Sequence, residues 1–361
     1  MGRRVCVYAI CKDEENFVDR WMDSMAEADL IVVTDTGSTD STAQKLRARG
    51  AAVYEERVVP WRFDVARNLS LSHVPEDVDI CVSTDLDEVF APGWRESLES
   101  AWTDDAVQAR YLYNWSLRPD GTPDVQFNYF KAHARAGFSW RYPVHEVLVY
   151  ADERPLITVY APDMVLTHLP DPAKPRSSYL PLLELAAQEE PESDRCAHYL
   201  GREYFFRGMW ENAVRELRRH LALPSATWRE ERCASMRLIA QSEHRRNDDR
   251  AAYQWFFRAV AEMPDMREPY VEFARLAETL TDWPLALHMA EEALKIKEKS
   301  SAYVNMGYAW DATPHDIAAI AAYWLGAYER SRAHAEDAIR LEPENARLLK
   351  NLEIIRARLT P

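Results

Sequence analysis

The stretch Cys81 to Phe90, CVSTDLDEVF, holds three carboxylates, Asp85, Asp87 and Glu88, directly after an apolar run. Such a cluster repels itself unless water surrounds it or a positive charge is supplied. An apolar strand that ends in Asp-x-Asp delivers two carboxylates to the carboxyl edge of a sheet, where ligands bind in open α/β sheets. Oxygen donors of this kind suit Mg²⁺ or Mn²⁺, which commonly sit on one or two carboxylates together with substrate phosphates. Taken alone, Asp-x-Asp is equally a solvated acidic turn, so the neighbouring motifs decide between the two.

Other motifs fall at similar places. VVTDTGSTDST, residues 32 to 42, follows a strand. Gly37 permits a tight turn there, and Ser38 or Asp40 can cap the next helix. Asp35 stands at the strand's carboxyl end, where it could accept hydrogen bonds from a base or ribose, a role compatible with a capped turn. AICKDEEN closes the first strand in the same manner. WRFDVARNLSL sets Arg67 and Asn68 in a helix with Phe63, Ala66, Leu69 and Leu71. A cation there could meet phosphates or form a surface salt bridge.

The elements that must position these residues are legible from periodicity. RVCVYAI, LIVVT, AAVYE and DICVST read as short buried strands. Between them, Phe17, Val18, Trp21, Met22 and Met25 share one helical face, and Thr39 to Arg49 reads as a helix stopped by Gly50. Strand, helix, strand repeated predicts a mostly parallel sheet wrapped by helices. LPDPAKPR, residues 169 to 176, reads as a linker because of its three prolines.

Beyond it the strands vanish and Ala, Leu, Glu and Arg dominate. YLGREYFFRGMWENAVRELRRHLALP sets large and small residues at tetratricopeptide (TPR) spacing. Further copies carry Ala240, Ala252, Ala259 and Pro264; Ala274, Ala286 and Ala293; and Ala319, Ala338 and Pro343. Small residues at these places let paired helices approach, and the proline ends the second helix. The repeats vary around a length of about 34 residues. The expected division is a catalytic α/β domain at 1–169, a linker at 170–176 and a TPR-like helical domain at 177–361.

Bulk properties bound the alternatives. The chain has 361 residues, 44 Lys plus Arg against 59 Asp plus Glu, and a net charge of −15, which makes nucleic acid a poor major partner. Five scattered cysteines form no C-x-x-C pair, which argues for a reducing cytoplasm rather than a disulfide framework or zinc site. The first apolar run, Val5 to Cys11, is too short for a signal segment or membrane span, and the residue at position 6 does not suit myristoylation.

In order and spacing, ICKDEEN, DTGSTDST, ARN and DLDE resemble a family 2 glycosyltransferase of the GT-A fold. FSWRYPVHEVL extends the resemblance to members with C-terminal TPR repeats, and the pairing of domains is similar to the sublancin-type peptide S-glycosyltransferases. Thr36 departs from the pattern, since many members have a second Asp there. The resemblance implies a nucleotide-diphosphate sugar donor, UDP favoured, and inversion at the anomeric carbon. Asp87, with Asp85 nearby, would hold Mg²⁺ or Mn²⁺, and His168 would correspond to a late metal-ligating His. Ala9, Ile10, Lys12 and Glu14 would line the nucleotide pocket with Asp35, and Arg67 would add charge near the base or phosphates. Glu146 would be the base that takes the acceptor proton, with His145 the alternative.

Trp115 and Trp140 could stack on sugar faces, although a buried Trp is the commoner use. A TPR array presents a concave surface for peptides, so the expected acceptor is a protein or peptide side chain, with a homodimer built on the helical half the other use. A glycan acceptor is the alternative within the enzyme reading. A catalytically inactive TPR adaptor is the alternative outside it, disfavoured because both Asp residues of Asp-x-Asp are present.

Overall fold

A computed structural model describes residues 2–170, 179–300 and 302–359. The chain forms two compact units, 1–186 and 187–361. Apart from Pro170, the expected linker at 170–176 lies outside the described residues.

The first unit opens with β1 (Val5–Cys11), α1 (Val18–Met25), β2 (Leu30–Asp35), α2 (Thr42–Ala48), β3 (Ala52–Glu55), α3 (Phe63–Ser72) and β4 (Ile80–Ser83). Then come β5 (Glu88–Phe90), α4 (Trp94–Ala101), β6 (Gln108–Leu117), β7 (Pro123–Ala134), β8 (Phe138–Arg141), β9 (Val147–Tyr150), β10 (Thr158–His168) and α5 (Tyr179–Glu189). Helix α2 is shorter than the sequence suggests. Thr39 is held instead by Asp13, whose Oδ1 accepts its N–H at 2.6 Å. The N-cap of the helix is Ser41, without a side-chain cap, and Asp40 just before it accepts the backbone N–H of Thr42 at 2.9 Å.

Eight strands form one sheet in the order β3-β2-β1-β4-β7-β6-β10-β5, and β8 pairs with β9 separately. β1, β2, β3 and β4 run parallel, β6 and β10 run parallel, and β7 and β5 pair antiparallel to their neighbours. The parallel half reverses its strand order between β1 and β4, which makes a switch point where the carboxyl ends of both strands open a crevice.

The continuous apolar run of β1 reflects burial on both faces. Val5, Val7, Ala9 and Cys11 pack with Trp21, Met22 and Met25 of α1, Leu46 of α2, and Trp94 and Leu98 of α4. Cys6 and Tyr8 face the other way, onto Leu71 of α3 and Trp140 of β8. Each large side chain buried in this way contributes roughly 1.5–3 kcal/mol of transfer free energy. All five cysteines are buried.

The second unit is helical, comprising α6 (Asp194–Phe206), α7 (Trp210–Ala222), α8 (Arg229–Arg245), α9 (Asp249–Glu262), α10 (Arg267–Thr279), α11 (Trp283–Lys295), α12 (Thr313–Trp324), α13 (Tyr328–Leu341) and α14 (Ala346–Arg356). The sequence repeats coincide with the pairs α6/α7, α8/α9, α10/α11 and α12/α13. Ala240, Ala252, Ala259, Ala274, Ala286, Ala293 and Ala338 are fully buried, as close helix approach requires. At Gly201 the approach is tightest: a Cβ there would come within 2.6 Å of Leu217 Cγ. Pro224, Pro264 and Pro343 each stand just beyond the second helix of a pair. Among the described residues no helix is long and apolar enough to cross a membrane.

Candidate active site

β4 ends at Ser83, and Thr84, Asp85, Leu86 and Asp87 turn the chain into β5. Leu86 is fully buried, which anchors the turn and leaves its two flanking carboxylates at the crevice. Below them, Glu88 accepts the backbone N–H of Asp85 at 2.9 Å and the hydroxyl of Tyr113 at 2.6 Å. Burial pushes the Glu88 carboxyl above its ordinary range, while Lys131 pulls the other way.

Arg67, from α3, is 4% exposed. Its Nη2 donates to Asp85 Oδ1 at 2.8 Å and Oδ2 at 3.1 Å, and its Nε donates to Glu146. The guanidinium also lies 5.0 Å from the centre of the Trp140 ring. This differs from the expected cation open to phosphates: the charge of Arg67 is taken up by two carboxylates, which it draws together. The next residue fixes the helix, because Asn68 donates to the carbonyl of Trp140 and accepts its N–H, both at 2.8 Å. Lys131 of β7 adds a second cation, with Nζ 3.8 Å from Asp85 Oδ2.

His168 ends β10 and pairs in register with Glu88 across the β5–β10 ladder. Its Nε2 lies 3.5 Å from Asp87 Oδ2, its Nδ1 faces the carbonyl of Trp115 at 3.2 Å, and its ring stacks on Trp115 at 4.6 Å. Burial alone would lower the pKa of His168, but the Asp87 carboxylate outweighs it and raises it above the ordinary value. An imidazole whose Nδ1–H is held by a backbone carbonyl presents Nε2 as a ligand. Asp87 and His168 set an oxygen and a nitrogen donor side by side, with Asp85 two residues away held by Arg67, and donors of these types suit Mg²⁺ or Mn²⁺. Glu88, held by Tyr113 and the turn backbone, supports that set from beneath.

At the end of β2, Asp35 Oδ1 accepts the N–H groups of Gly37 and Ser38 at 2.8 and 2.7 Å, so it builds the turn that follows. Gly37 has φ of 111°, which explains the glycine. Lys12 is exposed just past β1, Ile10 is 8% exposed and Glu14 is 6% exposed. The loop is tied down by Thr42 Oγ1, which accepts the N–H of Glu14 at 2.8 Å. One expectation is corrected: Ala9 does not line a pocket. Its side chain packs in the core, and its carbonyl accepts the Ser70 hydroxyl at 2.8 Å.

His145 adopts a positive φ of 51° and meets the Tyr179 ring at 5.8 Å. Trp140 is buried and donates through Nε1 to Tyr8, so it is structural, whereas Trp115 is 42% exposed beside His168. Sequence reasoning missed Lys131, Tyr113 and the role of Glu88. The signal for Lys131 was a lone Lys within a strand, flanked by the apolar side chains of Phe130 and Ala132.

Residues 6–149 match the family described as Glycosyl transferase family 2. Among solved structures, the chain is similar to MamA, at 13% identity over 47% of this chain and 91% of that one, with a TM-score of 0.39. It is also similar to the C-terminal part of a TPR repeat-containing protein from Cytophaga hutchinsonii, at 13% identity over 51% of this chain and 66% of that one, with a TM-score of 0.42. A thermophilic TPR protein from Thermus thermophilus matches at 14% identity over 50% of this chain and 90% of that one, with a TM-score of 0.35. None of the curated proteins matches the chain.

Proposed function

We propose that this chain, a glycosyltransferase by its family 2 domain at residues 6–149, is an inverting, divalent-metal-dependent enzyme. In this reading it moves a sugar from a nucleotide diphosphate, UDP favoured, to a protein or peptide side chain. The observations that carry the reading are that the buried Arg67 joins Asp85 to Glu146, and that Asp87, in the same turn as Asp85, meets His168 at the end of β10.

Asp85, Asp87 and His168 would hold Mg²⁺ or Mn²⁺, and the ion would neutralise charge that develops on the departing diphosphate. Asp35 and the turn it builds, with Ile10, Lys12 and Glu14, would bound the nucleoside side of the crevice. Trp115 offers an exposed aromatic face beside the ligand set. Glu146 Oε1 is bound by Arg67, and Oε2 would accept the proton of the attacking acceptor group. The acceptor's lone pair forms the new bond at the anomeric carbon as the bond to the diphosphate oxygen breaks on the opposite side, and the electron pair leaves with the diphosphate.

The helical unit would recruit the acceptor, since stacked helix pairs present an extended concave surface. A panel of UDP, GDP and dTDP sugars, with and without Mn²⁺, tests the donor assignment by thermal shift. Stabilisation by one nucleotide family that requires the ion supports the reading, and a protein indifferent to the whole panel refutes it.

A further inference from the structure

The helical unit contains a buried side-chain cluster that sugar transfer does not use. His198 of α6, His220 of α7 and Glu231 of α8 are 1%, 1% and 5% exposed. One ligand atom from each lies within 4.8 Å of the others. Ser235, one turn after Glu231, touches both rings: its Oγ lies 2.8 Å from His198 Nδ1 and 2.9 Å from His220 Nδ1. A hydroxyl oxygen has two lone pairs and can accept an N–H from each ring. Both Nε2 atoms are then bare acceptors.

His220 Nε2 lies 3.5 Å from Glu231 Oε1. His198 Nε2 is buried and has no hydrogen-bond partner. A buried polar atom left in this way costs roughly 1–3 kcal/mol, so a sequence that keeps it needs a reason.

We propose that His198, His220 and Glu231 form a binding site for one Zn²⁺ that ties α6, α7 and α8 together. Two imidazoles and a carboxylate are borderline donors that suit this ion. Tetrahedral bonds of ~2.0–2.1 Å separate ligand atoms by about 3.3–3.5 Å, the spacing found between His220 Nε2 and Glu231 Oε1. Ser235 supplies the outer hydrogen bonds that orient metal-bound histidines. Tyr303 donates its hydroxyl to the other oxygen of Glu231 at 2.5 Å, which fixes the carboxylate.

Arg195 and Arg202 sit over the Tyr199 ring at 4.6 and 4.4 Å. A second group, His315, His334 and Asp337, is more exposed, and its members are engaged elsewhere: His334 Nε2 faces Glu291 at 3.2 Å and Asp337 pairs with Arg340.

The test is the metal content of full-length protein produced with excess Zn²⁺ and then dialysed against chelator. The wild type, Asp87→Asn and His315→Ala should each retain about one equivalent, the loss from the catalytic unit or the second histidine group having no effect. His198→Ala and Glu231→Gln should retain none. Ser235→Ala keeps every ligand but releases the rings, and should weaken Zn²⁺ binding ~10–100-fold. It decides the matter if a ligand variant fails to fold. A wild type that holds no zinc, ligand variants that hold as much as the wild type, or a Ser235→Ala protein with unchanged affinity would each overturn the proposal.

Discussion

His168 Nε2 lies 3.5 Å from Asp87 Oδ2. Two ladders produce this meeting. β10 pairs with β6 along its length, and its last residues also pair with β5, so His168 comes level with Glu88 and beside the residue before it. If the pair binds a divalent ion, Asp87→Asn and His168→Ala should each remove the Mn²⁺-dependent thermal stabilisation by UDP. The Tm without ligand should barely move, since neither side chain fills the core. Equal stabilisation of wild-type protein in excess chelator would end the metal assignment.

Arg67 is expected to act through the two acids it joins. Arg67→Met leaves Asp85 and Glu146 without their guanidinium and should destabilise the first unit by roughly 3–5 kcal/mol. Urea denaturation reads this directly. A variant that loses nucleotide affinity at unchanged stability would instead mark Arg67 as a phosphate contact.

Glu146→Gln keeps shape and the hydrogen bond from Arg67 while removing the proton acceptor. The transfer rate should fall ~10²–10⁴-fold with donor affinity nearly unchanged. For a thiol acceptor the defect should shrink as pH rises, because the thiolate forms unaided. For a hydroxyl acceptor it should persist. Wild-type rates at neutral pH would transfer the base role to His145.

Buried His133 couples stability to pH. Its Nε2 faces the Tyr8 hydroxyl at 2.8 Å, and burial lowers the imidazole from 6.5 to about 4. Between those values the unfolded chain binds the proton and the folded chain does not, so stability is full above 6.5 and declines as pH falls towards 4. The change amounts to roughly 3 kcal/mol. His133→Gln should flatten the unfolding free energy across that window by about this amount. An unchanged slope would show that folding does not shift the titration of His133.

A fragment of residues 1–189 retains the whole of α5 and should bind UDP with Mn²⁺ as the full chain does, while losing transfer to its natural acceptor. Full-length transfer rates from the fragment would remove the helical unit from acceptor recruitment.

The local pattern of this chain was written in its sequence. A short, wholly apolar run bounded by polar residues reads as a buried strand, and Val5 to Cys11 is one. Alanines recurring at helical spacing announced the helix pairs, because only small residues let backbones approach. The ordered motifs placed Asp35, Asp85 and Asp87 at strand ends, since a polar residue after a buried run marks where the sheet meets solvent.

What stood next to these residues was decided by tertiary structure. A lone Lys131 or Glu88 carries no period, and their pairing with Asp85 follows from β4 lying beside β7 and from the turn into β5. The burial of Arg67 was hidden because a helix pattern shows which face is apolar, not which charge on that face will be neutralised from elsewhere in the chain. Ala9 shows the same limit: alternation gives two faces to β1, and only the packing of α1, α2 and α4 decided that its side was closed. The cluster of His198, His220 and Glu231 had no motif spacing at all. Three successive helices had to fold back on one another before their side chains could share a volume small enough for one ion.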